Sequence, residues 1–327
     1  MEYYSINMLT YKDIMEKGKE RIKELGFYDL VIAGVETEFV LKHNRDVFDR
    51  FVFEQAVINA EFAQTTVELF GKVFETPVMT AAITSPIPQI TENGLLKEAV
   101  GVKKAGSMMW LGWVQPKNLD AIVKIGAPVG QIVKPFKNRK TIFEAIDFAE
   151  KSGVTAVGID VDSGARTKYG GILRGPESAP LTVKEIRDIF SVTRCPFVLK
   201  GILSKRDAVE AMKCGVKYII VSNHGAHTLD YLPHPLEVLP EILEAVDEDT
   251  KILVDSGFRR GSDVLKGLVF GAEAVMIGRP ILYALAAYES KGVEVLIKTI
   301  TAELQRIMTM TGVKDISQID EKIIRRI

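Results

Sequence analysis

Net charge is nearly absent from this chain. Its 42 Lys and Arg residues face 43 Asp and Glu, for a formal net charge of −1. That balance gives no basic field to draw in nucleic acid or an anionic membrane surface. Also missing is any run of about 18 apolar residues, which argues against a membrane-spanning helix. The amino-terminal stretch MEYYSINMLTYKDIMEKGKERIK is polar, carries acids and does not read as a secretory leader. Cysteine is scarce: Cys195 and Cys214 are the only two, far apart, with no metal-type pairing. That usage excludes a cysteine-rich scaffold or zinc site and leads us to expect no metal and a reducing, cytoplasmic setting.

What is present points to an α/β protein. Eight short, nearly continuous apolar runs recur from residue 77 onward: PVMTAAI (77–83), SMMWLGW (107–113), VGQIVKP (129–135), AVGIDVD (156–162), PFVLKGI (196–202), YIIVSNH (218–224), KILVDSG (251–257) and AVMIGRP (274–280). Such runs suit parallel strands buried on both faces. Between them lie helical patterns: TIFEAIDFAEKSG stops at Gly153, SKRDAVEAMKCG opens at Ser204 and stops at Gly215, and GSDVLKGLVFG repeats the plan with Ser262 and Gly271. Eight βα units predict a single (β/α)8 barrel, with a doubly wound sheet as the alternative. The expected layout is a helical extension over residues 1–75, the barrel over 76–290, and an amphipathic helix and tail over 291–327. The widest gap, GARTKYGGILRGPESAPL, reads as a long loop over the barrel mouth.

In such a barrel the strand carboxyl ends share one mouth, where chemistry sits. Here those ends carry Asp160 and Asp162, then Lys200, then Ser222, Asn223 and His224, then Asp255, then Gly278 and Arg279. A lone strand-end aspartate is commonly a helix cap, and a lone lysine commonly reaches solvent. Several aimed at one mouth are hard to explain by packing, because each buried charge needs a partner. The last two strands add a phosphate-site pattern: Gly257, Arg259 and Gly261 before one helix, Gly278 and Arg279 before the next. Glycines admit backbone N–H groups to an anion, helix amino termini attract it, and arginine offers a bidentate fork. Arg260 reads better as a solvated surface charge.

The segments HNRDVFDRF (43–51), VLKGILSKRDA, VSNHGAHTLD, LVDSGFRRGSDVLKGLVFGA and IGRPILYALAA, in this order, resemble the FMN-dependent α-hydroxy acid oxidase and dehydrogenase family. The resemblance implies FMN as cofactor and a role for each matching residue. Lys200 would lie beside the flavin N1 and C2 carbonyl, Gln131 on the pyrimidine edge, and Ser222 at the ring edge. Backbone at Ala81 and Ala82 would approach the N5 side. Asp255, Gly257, Arg259, Gly278 and Arg279 would hold the ribityl chain and phosphate. Asp160 stands where the family carries threonine at the pyrimidine edge. His224 matches the catalytic base, with Asp162 orienting it.

The substrate side departs from that family. The carboxylate-binding arginine of HGGRQ is replaced by His227 in HGAHT, and Ala226 replaces a glycine. Val133 and Leu30 stand at two tyrosine positions, and Lys168 or Tyr169 at a further arginine. A bidentate arginine contact contributes about 1.5–3 kcal/mol, so its loss implies either a larger, less acidic substrate or substitute groups. His227, Lys134, Arg166, Lys168 and Tyr169 are the candidates; His43 and His234 read as structural. The expected activity is oxidation of a hydroxyl-bearing small molecule. Oxygen, a quinone or another protein would then take the electrons, and the enzyme would be a homo-oligomer, tetramer or octamer. The alternatives are an FMN-dependent reductase or an isomerase resembling type 2 isopentenyl diphosphate isomerase, and a flavin-binding protein without turnover.

Overall fold

The computed structural model describes residues 9–165 and 177–327, and between them the backbone of two short paired strands, Thr167–Tyr169 and Ile172–Arg174. Eight strands form the central sheet: β1 (Val78–Thr80), β2 (Met109–Leu111), β3 (Val129–Val133), β4 (Ala156–Asp160), β5 (Phe197–Ile202), β6 (Tyr218–Val221), β7 (Lys251–Val254) and β8 (Ala274–Ile277). All recorded pairings are parallel, in the order β1-β8-β7-β6-β5-β4-β3-β2. The seam between β1 and β2 is closed around Thr80. Its N–H donates to Met108 O (3.2 Å), its Oγ1 accepts from Trp110 N (3.1 Å), and Ser107 Oγ donates to Val78 O (2.5 Å). The sheet therefore curls into a (β/α)8 barrel, and the doubly wound alternative falls because its first strand lies between the second and the eighth. Each strand lies within an apolar run of the sequence. Seven of them, all but β5, stop two or three residues short of the end of the run, and the residues left over lead into the loops after the strands.

The barrel interior is filled from below. Met79, Met108, Trp110, Ile132, Ala156, Val198, Ile220, Leu253, Ala274 and Met276 form one buried cluster. It is completed by Val67, Leu69, Phe70 and Phe74 from an antiparallel hairpin, Val67–Leu69 with Lys72–Phe74. Phe70 packs on Trp110 (5.6 Å between centroids) and on Tyr218 (4.7 Å), so the hairpin plugs the amino-terminal end. This corrects the expectation of a purely helical extension. Besides the hairpin, the strand Phe51–Phe53 pairs antiparallel with Ile324–Arg326 and ties the extension to the tail. The long terminal helix Arg279–Met310 breaks at Tyr288 and Glu289. Its first half meets the helix Tyr11–Glu24 so closely that a Cβ at Gly18 would lie 2.2 Å from Tyr283 O.

The caps expected at Gly153 and Ser204 are present: Gly153 adopts φ 85°, and Ser204 accepts from Asp207 N. Ser262 does not cap its helix, Gly261–Val269. Arg260 holds that place, and the carboxylate of Asp263 accepts from Arg259 N (2.9 Å) and Arg260 N (3.2 Å).

Behind the β1–β2 seam lies Glu98, on the helix Gly94–Lys104. It is 1% exposed, and its Oε2 has no partner among the described residues. Burial raises its pKa to about 8, against the pull of a hydrogen bond from Thr80. A carboxyl whose folded pKa lies above its unfolded value stabilises fully below the unfolded value, and loses that contribution as pH rises through the folded one. Glu98→Gln should therefore match the parent in melting temperature near pH 4 and exceed it at pH 9, by the equivalent of a few kcal/mol on the order of the shift. A melting-temperature difference independent of pH would refute the assignment.

Candidate active site

The mouth is built on a backbone that ordinary residues avoid. Just past β6, His224 (φ 56°), Gly225 (φ 60°) and Ala226 (φ 73°) are all left-handed. For a residue with a side chain that conformation costs about 1–2 kcal/mol. Hydrogen bonds hold it in place. His224 N donates to Ser222 Oγ (3.0 Å), while Asn223 N and Gly225 N donate to Ser256 Oγ (3.2 and 3.4 Å). Ser256 Oγ in turn donates to Asp255 Oδ1 (2.7 Å). The Asn223 side chain exchanges two hydrogen bonds with Asn44 (2.6 and 3.0 Å) and donates to Pro233 O (3.1 Å). The turn thus presents the imidazole at the mouth in one orientation.

Around that imidazole sits a charged cluster. Asp160, 2% exposed, accepts from Lys200 Nζ at 3.0 Å and from Lys134 Nζ at 2.5 Å, and its Oδ1 lies 3.6 Å from His224 Nδ1. Lys134 Nζ also reaches Ser163 Oγ (3.1 Å), and Lys200 Nζ lies 3.8 Å from Asp255. Burial alone would push the Asp160 pKa up, but His224, Lys134 and Lys200 outweigh it and hold it well below the usual range. Burial likewise opposes the charged form of Lys200, yet Asp160, Asp255 and Asp162 leave its pKa raised. The Asp162 carboxylate spans His224 Nδ1 at 3.0 and 3.1 Å. Nδ1–H therefore donates, and Nε2, which has no hydrogen bond among the described residues, carries the lone pair whenever the ring is neutral. Asp160, Asp162 and His224 are close enough together to ligate a cation, but both oxygens of Asp160 already accept from ammonium groups.

The expected substrate residues separate into three outcomes. His227 comes to the mouth, with Nε2 2.9 Å from Ala33 O and 3.3 Å from Arg279 Nη2. Burial first, then Arg279 and His224, hold its pKa well below the ordinary value. It is a neutral imidazole and no substitute for an arginine. Val133 is fully buried on β3, and Leu30 is half-buried on the helix Tyr28–Ile32. The side chains of Arg166, Lys168 and Tyr169 lie outside the described residues. His43 and His234 are structural, as expected. His43 pairs with Glu237 (2.6 Å). His234 donates from Nε2 to Ser256 O (2.9 Å) and accepts from Leu236 N (3.1 Å), its pKa lowered by burial to about 3.

Lys134, considered only among the substrate candidates, is instead part of the buried cluster. Nothing in the sequence marked Asn44 or Ser256, because their partners lie 179 and 33 residues away. Arg279, expected at the phosphate, reaches backbone carbonyls on either side of the His224 turn. Its Nε donates to Val31 O (2.8 Å) and its Nη2 to Gly225 O (2.8 Å) and Ala33 O (3.3 Å).

The remaining polar groups fit FMN. Gln131 is 2% exposed on β3, and its amide has no hydrogen-bond partner among the described residues. Arg259 is exposed, its guanidinium makes no hydrogen bond or ion pair among them, and it stands two residues before the helix that begins at Gly261. A Cβ on Gly278 would meet nothing nearer than Ile83 at 3.4 Å, so its backbone is open to approach. The family model for FMN-dependent dehydrogenases matches residues 19–170 and 166–326. This chain belongs to that family.

Among curated relatives, a 2-hydroxyacid oxidase of Dictyostelium discoideum is 28% identical over 97% of the chain and 90% of its own length. An L-lactate oxidase of a Nostoc strain is 29% identical over 96% of each. A solved mandelate oxidase with (S)-2-phenylpropionate superposes with a TM-score of 0.88 at 26% identity, covering 98% of both chains. A variant of mandelate oxidase solved with 2-hydroxy-phenylacetamide gives 0.87, also at 26% identity. A monotopic membrane (S)-mandelate dehydrogenase, at 23% identity and 0.88, shares the fold. Among the described residues no helix is long and apolar enough to cross a membrane.

Removing the buried ammonium should test the cluster without any substrate. Lys200→Met leaves Asp160 and Asp255 buried without it, and breaking such a pair costs about 3–5 kcal/mol. Chemical denaturation should show a loss of that order. A variant as stable as the parent would show that the cluster does not depend on Lys200.

Proposed function

We propose that this FMN-dependent oxidoreductase oxidises the carbinol of a 2-hydroxy acid or a derivative of one, with His224 as the base. The observation that carries the reading is the His224–Asp162 contact on a left-handed turn: Nδ1 is held at 3.0 Å and Nε2 is left as proton acceptor. An imidazole suits the task because its pKa lies near neutrality. As Nε2 takes up a proton from the substrate, the positive charge that forms lies against Asp162 and, at 3.6 Å, Asp160. Both carboxylates stabilise it without moving.

FMN, when bound, supplies the acceptor for the two electrons released as the C–OH group becomes C=O. Gln131 would hold its pyrimidine edge, Lys200 and Ser222 its ring, and backbone at Ala81 and Ala82 the opposite side. Asp255 would hold the ribityl chain, with the phosphate among Gly257, Arg259 and Gly278. The relatives named for 2-hydroxyacid and L-lactate oxidation support the reaction class. The 2-hydroxy-phenylacetamide in a mandelate oxidase variant supports admitting neutral derivatives. Exposed Ile58 (89%) and Phe62 (87%) suit a homo-oligomer, and the two free thiols suit a reducing cytoplasm.

Two measurements test this reading. His224→Ala should keep bound FMN and its yellow absorbance, while anaerobic bleaching by the true substrate slows by about 10²–10⁴-fold. Unchanged bleaching would remove His224 from the chemistry. Arg259→Ala should weaken FMN roughly tenfold, a modest loss because the contact is exposed, and leave riboflavin affinity unchanged. An equal loss for both ligands would place Arg259 away from the phosphate.

A further inference from the structure

The barrel mouth has two unlike halves. Side chains alternate along a strand, so positions two or four residues past the buried cluster of the barrel interior face the mouth. On the neighbouring strands β8, β1 and β2 these are Gly278, Ala81 and Gly112, which offer almost no bulk. On β3, β4 and β5 they are Lys134, Asp160 and Lys200. A flat ring laid across the mouth therefore finds room over one half and charge along the other. In that charged arc one carboxylate lies between two ammonium groups: Asp160 Oδ1 is 3.0 Å from Lys200 Nζ, and Oδ2 is 2.5 Å from Lys134 Nζ. Lys200 and Asp160 are 3% and 2% exposed, but the Lys134 side chain is 21% exposed, so water screens Lys134 more than the other two. Asp160 keeps its charge there, since despite burial its pKa lies well below the usual range. The family resemblance places threonine at position 160, so the carboxylate is an addition to the charge that Lys200 would otherwise present. A flavin that accepts electrons gains negative charge on its ring; a cation beside it favours reduction and an anion opposes it.

We propose that Asp160 sets the reduction potential of the bound FMN. It offsets the charge of Lys200 and holds the flavin at a lower potential than that lysine alone would give, and Lys134 returns part of the difference. This rests on the reading that places the flavin ring beside Lys200. Asp160 acts through the ammonium it holds, so it is a positioning residue. The effect is a difference between two charge states of one side chain, and every other charged group at the mouth is common to both sides of the comparison.

The test measures the midpoint potential of the FMN-loaded protein anaerobically at neutral pH, against reference dyes and without substrate. Parent, Asp160→Asn, Asp160→Glu, Lys134→Met and Lys200→Met are compared, with stability followed by chemical denaturation. Asp160→Asn should favour reduction at least tenfold, a rise of about 30 mV for a two-electron couple. Asp160→Glu, which keeps the charge, should stay near the parent. Lys134→Met should lower the potential by a smaller amount. Both Asp160→Asn and Lys134→Met break an ion pair and lose stability, so a merely structural disturbance would move the two potentials in one direction; charge moves them in opposite directions. Where Asp160→Asn does not retain FMN, Asp160→Thr makes the same comparison, and Lys134→Met gives the sign independently. An unchanged or lowered potential on loss of the carboxylate, or a raised one in Lys134→Met, overturns the proposal. If Lys200→Met also leaves the potential unmoved, the flavin ring does not lie beside this cluster and that reading fails. If Lys200→Met lowers the potential while Asp160→Asn does not raise it, only the role of Asp160 falls.

Discussion

Asp160 is the point on which the site depends. It ends β4 directly beside Lys200 of β5, its register partner across the parallel ladder. Adjacent strands lie about 4.8 Å apart, so the hydrogen-bonded sheet itself brings carboxylate and ammonium together. Such a buried pair contributes little net stability, because desolvation offsets most of the attraction. Its value is geometric: with Lys134 on the other oxygen and His224 at 3.6 Å, one carboxylate fixes the heads of three side chains from three strand ends. Position 160 is where the family resemblance places threonine. A hydroxyl there would leave Lys200 with Asp255 at 3.8 Å as its nearest carboxylate and would give Lys134 none of the attraction it now has.

The amino-terminal extension completes the mouth as well as plugging the opposite end. The helix Phe39–Asp46 supplies Asn44 to the Asn223 side chain and Arg45 to both Gly257 O (2.5 Å) and Asp263 (2.8 Å). Asp230, in the loop after the base, accepts from Thr37 Oγ1, Thr37 N and Val40 N and so binds that helix's start; burial opposes its charge, but these bonds, the Thr37 hydroxyl foremost, lower its pKa to about 2. The loops after β6 and β7 are thus held by residues nearly two hundred positions earlier. A Cβ on Gly257 would lie 2.3 Å from Asn44 O, so this contact also requires a glycine in the candidate phosphate loop.

These distant pairings explain what could and could not be read from the chain. All eight strands were legible, because parallel strands buried on both faces write continuous apolar runs. The strand-end polar residues were legible as a set for the same reason, since a charge closing such a run is conspicuous. His224 and Asp162 come together as the resemblance implies. The fate of Lys134 was not legible, because its partner lies on the neighbouring strand and position in sequence gives only the loop it begins. The hairpin at 67–74 leaves no mark in the sequence, because three-residue strands are too short to show a period. Ser262 has the residue type of a helix cap, but the helix already begins at Gly261 with Arg260 at the cap position, and Asp263 reaches back to accept from the N–H groups of Arg259 and Arg260. Residue type alone suits His227 to an anion. Its burial beside Arg279 makes it neutral, and only packing shows that.

The last element is a bulge. The pairing of β5 with β6 slips between Lys200 and Ile202, and the residue between them is Gly201 at φ 91°. A bulge of this kind bends a strand and re-aims the side chains beside it. A Cβ on Gly201 would lie 2.4 Å from Asp162 Cγ, so the absence of a side chain is what admits the carboxylate over the end of β5. From there Asp162 reaches across to His224, beyond β6. The base, its aspartate and the buried lysine thus come from three consecutive strands and meet above the middle one. Each depends on a local departure from regular structure: a bulge at Gly201, a left-handed turn at His224, and a short 3₁₀ turn over Val161–Ser163 that carries Asp162. The regular barrel supplies the rigid frame, and these three irregularities point the chemistry inward.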